Sequence, residues 1–325
     1  MKKNIAIAMG GYSEEYQISL QSGKVILNYI DPELFVPYPI LIREDEWCYK
    51  DQKGDEYLID RHDFSLTLHS EKIRFDAVFN IIHGTPGEDG KLQAYWELMN
   101  IPYTSCDYYQ AALTFNKRDC ISVLQKFGIP TAANFFLNSG DEIDTKEIVD
   151  KVGLPCFIKA NRSGSSFGVY KAKKENEIKN LISKALEVDD QVIIESFLSG
   201  KEVSVGVITY HNRIKVLPIT EIVSENDFFD YEAKYEGKSQ EITPARLTEE
   251  EQKQVCDLAE KVYDILGMRG MSRSEFIFHD GIPHFIEMNT IPGMSEASIL
   301  PQQLSQAKIS LSDFITSTIY ECLEE

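Results

Sequence analysis

The 325-residue sequence predicts an α/β domain built on a parallel sheet, followed by a larger α+β region. Three observations carry that prediction. The first hundred residues alternate short apolar strands with helices, the pattern of a parallel sheet that takes ligands at the carboxyl ends of its strands. Beyond Pro130 the alternation gives way to successive strands. The chain is also too long for one small core, so two or three domains are expected.

Taken in order, residues 4–9 read as a buried strand running into Gly10-Gly11. Residues 18–30 follow as a helix stopped by Asp31-Pro32. Residues 76–82 form another strand, ending in the loop His83-Gly-Thr-Pro-Gly-Glu-Asp-Gly90, and residues 92–99 are a helix. A further helix ends at Phe127-Gly128 with Pro130 just beyond, a clean stop. Residues 155–160, 169–172, 191–197, 202–210 and 213–222 then read as strands, with one charged helix at 176–187. The segment 224–244 is acidic, aromatic and without periodicity; its length favours a functional lid or disorder. Thr248 opens a helix through a capping box with Glu251. Val255, Leu258, Ala259, Val262 and Leu266 form the buried stripe of that helix, and Gly267 ends it.

Composition narrows the function. The apolar share of 43% and charged share of 26% are those of a globular protein. A net charge of −19 argues against nucleic acid as a sequence-independent partner, because phosphate backbones need a basic footprint. A nucleotide needs only a few local lysines and stays open. Six scattered cysteines without metal spacing point to reduced thiols in a cytoplasmic protein. The apolar run at the start is too short for a signal peptide, and no stretch approaches the roughly 18 apolar residues of a membrane span.

The segments Met271-Ser-Arg-Ser-Glu-Phe-Ile-Phe278 and Pro283-His-Phe-Ile-Glu-Met-Asn-Thr290 read as two strands joined by a tight turn. Alternate side chains share a face. Arg273 and Glu275 therefore point together, as do Glu287 and Asn289. If the faces coincide, a cation, two carboxylates and an amide converge on a patch that suits Mg²⁺ and a transferring phosphoryl group. The alternative is a surface hairpin with ordinary ion pairs. The loop Ala160-Asn-Arg-Ser-Gly-Ser-Ser-Phe-Gly-Val169 directly follows Lys159. It reads either as a phosphate cradle or as a serine-rich turn; it is not a Walker A loop. Glu195 and Glu202 flank a short connector able to read adenine and ribose, or are simply solvated. Gly10-Gly11-Tyr-Ser-Glu-Glu15 lacks the dinucleotide fingerprint, which disfavours a nicotinamide enzyme.

The set Gly10-Gly-Tyr-Ser-Glu-Glu15, His83-Gly-Thr-Pro-Gly-Glu-Asp-Gly90, Gly164-Ser-Ser-Phe-Gly168, Glu232-Ala-Lys-Tyr235 and Glu287-Met-Asn-Thr-Ile-Pro-Gly-Met294 resembles the D-alanine–D-alanine ligases of the ATP-grasp superfamily. The motifs stand in that family's order and cover nearly the whole chain. The resemblance implies a Rossmann-like domain over residues 1–103, then a two-lobed ATP-grasp fold: a central lobe over 104–194 and a C-terminal lobe over 195–325 with the lid at 224–244. It implies that ATP phosphorylates one D-alanine and a second D-alanine attacks the acyl phosphate, supplying peptidoglycan precursor. A cytoplasmic homodimer is implied, with no nucleic-acid or membrane partner.

Carried over by motif, Glu15 would bind the first ammonium, with His83 near the carboxylate. Glu15, Ser165 and Tyr235 would form a hydrogen-bonded triad. Lys117, Lys159 and Lys234 would meet ATP phosphates together with Ser163, Gly164, Ser165 and Ser166, while Glu195 and Glu202 would hold adenine and ribose. Glu275, Glu287 and Asn289 would bind two Mg²⁺ (or Mn²⁺). Arg273 and the Gly293 N–H would form the oxyanion site, and Ser298 with the Ile299 N–H would receive the second carboxylate. One departure is Glu275, where the family usually has Asp; the longer side chain bears on metal geometry, which is strict for Mg²⁺. Tyr235 resembles the D-alanine-using type, since the D-lactate ligases commonly have Phe there. D-serine or D-lactate as second substrate, and another ATP-grasp ligation, are the alternatives.

Overall fold

The computed structural model describes residues 1–51, 53–164, 166–224 and 239–324. In strand β1 (Lys3–Gly10) the last six residues are all buried, as a strand covered on both faces requires. It is flanked in parallel by β2 (Phe35–Ile42), reached through α1 (Tyr16–Tyr29), and by β7 (Ala77–Asn80). These three strands are the parallel part that the strand–helix alternation predicts. Beyond β2 the sheet continues as antiparallel β3 (Trp47–Lys50), β4 (Glu56–Asp60), β5 (Ser65–Leu68) and β6 (Glu71–Ile73), which the sequence reading did not place. They are short and half-exposed, so they carry little periodic signal. β3 joins β2 only at residues 40–42, past Pro37 and Pro39, which have no N–H to offer a second neighbour.

One face of this sheet is covered by α2 (Lys91–Leu98), whose Leu92 and Trp96 pack with Ile40, Phe64 and Val78. The other face carries Ile5, Ile7, Met9 and Phe79. It is covered by α1 and by two helices from the far end of the sequence, α8 (Ile299–Gln306) and α9 (Leu311–Glu324).

Helices α3 (Tyr108–Phe115) and α4 (Lys117–Lys126) lead into a four-stranded antiparallel sheet. Its order is β10 (Val169–Ala172), β9 (Cys156–Ala160), β11 (Gln191–Ser196), β8 (Asn134–Asn138). It is backed by α5 (Thr145–Val152) and α6 (Glu175–Leu186), which bury Ile148, Val152, Ile178 and Ile182. The remaining sheet runs β15 (Ser239–Ile242), β14 (Thr220–Ser224), β12 (Gly200–Tyr210), β16 (Met271–His279), β17 (Ile282–Asn289), and β13 (Arg213–Val216) pairs with β12. The single strand expected over 213–222 is thus two, interrupted at Leu217-Pro218-Ile219, where proline removes a ladder donor. Of the expected lid, the two ends are strands paired with each other. Residues 225–238, with Lys234 and Tyr235, lie outside the described residues, as does Ser165.

Under this sheet α7 (Glu249–Ile265) starts as expected: Thr248 Oγ1 accepts from Glu251 N–H, and the Glu251 carboxylate accepts from Thr248 N–H at 2.8 Å. Val255, Ala259, Val262 and Leu266 are buried with Ala111, Ile121 and Leu124 of α3 and α4. The β16–β17 connection is a two-residue turn with Asp280 (φ 49°) and Gly281 (φ 77°) left-handed, the geometry a tight hairpin needs.

Candidate active site

The register of β16 and β17 sets Glu275 directly opposite Glu287 and Arg273 directly opposite Asn289. Directly opposed residues share a face, so the four side chains do converge. Ser204 on β12 lies opposite Glu275 and extends the patch. Arg273 Nη1 donates to Glu275 Oε1 at 2.7 Å and to Ser204 Oγ at 3.0 Å. Burial opposes the Arg273 charge, but Glu275, Glu287 and Glu241 more than offset it and hold the guanidinium above its ordinary pKa. Among the described residues the buried Asn289 Oδ1 has no hydrogen-bond partner. An orphaned amide oxygen on the face that carries two carboxylates is the donor set a hard dication prefers, so these residues fit Mg²⁺.

The loop between β9 and β10 lies over this patch. Lys117, at the start of α4, donates through Nζ to Ser163 O at 2.6 Å and stands 3.3 Å from Glu287 Oε2, tying loop to patch. Asn161 is fully buried and holds the loop's base: its Oδ1 accepts from Arg118 N–H, and its Nδ2 donates to Asn116 Oδ1. Sequence reasoning gave Asn161 no role. Ser166 adopts φ 59° in the loop. Lys159 Nζ is 2.6 Å from Glu195 Oε2, both side chains nearly buried. Burial opposes the lysine's charge, yet Glu195, Glu287 and Glu202 together keep its pKa raised. Among the described residues Glu195 Oε1 has no hydrogen-bond partner. Lys117, Lys159, Glu195, Glu202, Glu275 and Glu287 line one cavity of about 320 Å³, walled by Phe157, Phe197, Leu198 and Ile277. An apolar slot ending in convergent charges suits a flat heterocycle carrying phosphates.

A second cleft of about 1290 Å³ opens between the loops of the N-terminal sheet and Arg162, Ser163, Gly164 and Phe167. Glu15 reaches across it: a side-chain carbon on Gly164 would sit 3.0 Å from a Glu15 carboxylate oxygen, so glycine there makes room. The second partner of the expected triad, Ser165, and the third, Tyr235, are outside the described residues.

His83, expected near the carboxylate of the first D-alanine, is held by partners within the chain. His83 is 4% exposed. Its Nδ1 lies 2.6 Å from Ile291 O and its Nε2 lies 3.0 Å from Ser22 Oγ. A carbonyl only accepts, so Nδ1 carries the proton, and Ser22 donates to Nε2 while accepting from Met294 N–H at 3.1 Å. Burial holds the imidazole pKa below its usual value, despite Glu15 nearby. Beside it Glu88, which the sequence reading left within its motif without a role, accepts from Gly84, Thr290 and Ile291 N–H groups at 2.8, 3.1 and 3.1 Å.

Gly293 lies against Ser298: a Cβ there would meet Ser298 Oγ at 2.9 Å. Ser298 stands at the N-cap of α8, where its hydroxyl makes no cap bond and instead meets Ser295 Oγ at 2.7 Å. Ile299 is the first residue of α8, and the leading N–H groups of a helix have no partner within it. They favour an anion. Across from them, Glu241 accepts from Gln302 at 3.2 Å, and burial raises its pKa. Glu241 also feels the charges of Arg273 and Glu275 and was given no site role from the sequence.

Residues 4–106 match the family model described as D-ala D-ala ligase N-terminus, and residues 123–320 match that of D-ala D-ala ligase C-terminus. The chain is 60% identical over 325 residues, the full length of both, to a D-alanine–D-alanine ligase of Christiangramia forsetii. Among solved structures it is similar to the VanG D-Ala:D-Ser ligase of Enterococcus faecalis (TM-score 0.88, 31% identity, 99% and 100% of the two chains). A D-alanine–D-alanine ligase of Bacillus anthracis complexed with ATP is similar too (TM-score 0.80, 25% identity, 99% and 98%).

Proposed function

The chain belongs to the D-alanine–D-alanine ligase family, and we propose that it joins two D-alanines at the expense of ATP on the face formed by β12, β16 and β17. The observation that supports this best is the meeting of Arg273, Glu275, Glu287 and Asn289 under a loop tethered by Lys117. In this reading the adenine lies between Phe157, Phe197 and Ile277, and its amino group donates to the orphaned Glu195 Oε1. Glu202 takes the ribose. Lys117, Lys159 and the amides of residues 163–166 meet the phosphates, with Lys234 and Ser165 assigned by motif alone. Glu275, Glu287 and Asn289 would hold Mg²⁺, which when bound neutralises phosphate charge.

A carboxylate oxygen of the first D-alanine attacks the γ-phosphorus, the bond to the bridging oxygen breaks, and ADP leaves. Glu15 holds the first ammonium. The second amino group attacks the acyl carbon. Arg273 and the Gly293 N–H stabilise the resulting oxyanion. The C–O bond to phosphate then breaks and the amine loses its proton. Ser298 and the α8 N-terminus receive the second carboxylate. Domain boundaries near residues 103 and 194, a homodimer and a cytoplasmic setting follow from the same resemblance; among the described residues no helix is long and apolar enough to cross a membrane.

The test is phosphate release from Mg-ATP with D-alanine, L-alanine, or D-alanine plus D-lactate or D-serine, with product mass. Turnover with D-alanine alone and a D-alanyl-D-alanine mass are expected. Turnover only with a mixed pair would keep the chemistry and change the second substrate.

A further inference from the structure

The segment of residues 290–294, which carries Gly293, is fastened to the N-terminal domain by four polar contacts. The Ile291 carbonyl is bound by His83, the Thr290 and Ile291 amides by Glu88, and the Met294 amide by Ser22. Glu88 stands at the centre. One of its oxygens takes the two C-terminal amides and the other takes Gly84 N–H, so a single carboxylate bridges the turn after β7 and the segment after β17.

We propose that Glu88 is a positioning residue of the ligation: it fixes the 290–291 backbone against the Gly84 turn and so aims the Gly293 N–H at the oxyanion. The proposal rests on the ligase reading above. Glu88 is 9% exposed, and among the described residues no lysine or arginine pairs with it. Among the described residues three amide dipoles balance it. A buried charge without a counter-ion is costly. A merely structural link between two turns needs only a neutral acceptor, whereas an acceptor-only group facing three donors needs the carboxylate itself. A glutamine has one carbonyl oxygen and would turn its NH₂ toward either Gly84 N–H or the 290–291 pair.

Among the described residues, the titratable groups around Glu88 are Glu15 at the start of α1, His83 on its own loop and Cys106 beyond β7. Burial and the Glu15 charge push the Glu88 carboxyl up to about 7, against the pull of its three N–H bonds. Protonation puts a hydrogen where only donors face it, so acid should loosen the segment.

The experiment compares wild type with Glu88→Gln, Glu88→Asp and Ser22→Ala across about pH 5.5–9, measuring kcat and the KM for ATP and D-alanine. For Glu88→Gln, kcat is expected to fall about 10²-fold with KM for ATP within about twofold, the scale of a slight misplacement of a catalytic group. The acid limb of the wild-type kcat profile near pH 7 is expected to vanish with it. Ser22→Ala, a milder release of the same segment, is expected to lower kcat about tenfold with the same unchanged KM for ATP. Glu88→Asp is expected to recover part of the loss and the acid limb. Near-normal kcat in both Glu88→Gln and Ser22→Ala, or an acid limb that persists in Glu88→Gln, overturns the role. If Glu88→Gln does not fold, Ser22→Ala and Glu88→Asp decide on the same criteria. A wild type that makes no dipeptide from D-alanine overturns the ligase reading instead, so the two failures are distinct.

Discussion

Glu88 makes a stability prediction opposite in sign to its catalytic one. Its carboxyl is raised from 4.5 to about 7 in the folded chain. The folded state therefore binds the proton more tightly than the unfolded state does. The favourable contribution of the protonated group is fully present below about pH 4.5 and is lost as pH rises through about 7. At about 1.4 kcal/mol per pKa unit, the loss is about 3 kcal/mol. Glu88→Gln has nothing to titrate and keeps whatever stability it has. The assay is urea unfolding of both proteins at about pH 5 and pH 8.5. The chain's two tryptophans, Trp47 and Trp96, both lie in the core of the N-terminal sheet, so intrinsic fluorescence follows the domain that contains Glu88. Wild type should lose about 3 kcal/mol more than Glu88→Gln between the two pH values. If the two proteins lose stability in parallel, to within about 1 kcal/mol, the buried-charge reasoning is refuted.

Arg273→Ala is expected to lower kcat about 10²–10³-fold, the usual cost of one oxyanion donor; near-normal steady-state turnover would remove Arg273 from the mechanism. Glu287→Gln should raise the Mg²⁺ concentration needed for half-maximal rate sharply, and an unchanged Mg²⁺ titration would relocate the metal. Phe314→Ala, in α9, empties a fully buried site against the N-terminal sheet and should cost about 3–5 kcal/mol in the unfolding transition seen by tryptophan fluorescence. An unshifted midpoint would mean that α9 contributes little to that core.

The β16–β17 hairpin was legible because everything that defines it is local. Two strands of period 2, an Asp-Gly turn and polar residues on alternate positions fix which side chains meet, and Glu275 does stand opposite Glu287. The α7 cap was legible for the same reason, three residues apart. Glu88, Ser22 and the true partners of His83 were not. Their hydrogen bonds to the 290–294 segment join residues separated by more than 200 positions, and no local pattern records such a pairing. Asn161 looked like an ordinary loop polar residue because its partners Asn116 and Arg118 lie on a helix start some forty residues away. The strands β3 to β6 escaped because each is only three to five residues long.

The packing of α8 and α9 onto the first sheet has a consequence for how the chain is made. Ser22 and Met294, 272 positions apart, meet in one buried layer, and Ile5, Ile7 and Phe79 complete their surroundings with Leu304 and Phe314. During synthesis the early strands leave the ribosome with this face uncovered. They stay so until residues near 300 arrive. Such distant contacts are paid for in loop entropy before they are made, which slows folding and leaves an adhesive apolar surface in the interval. A fragment cut near residue 103 is thus a half-clad sheet, and the nascent chain is a natural client for a chaperone until its last helices dock.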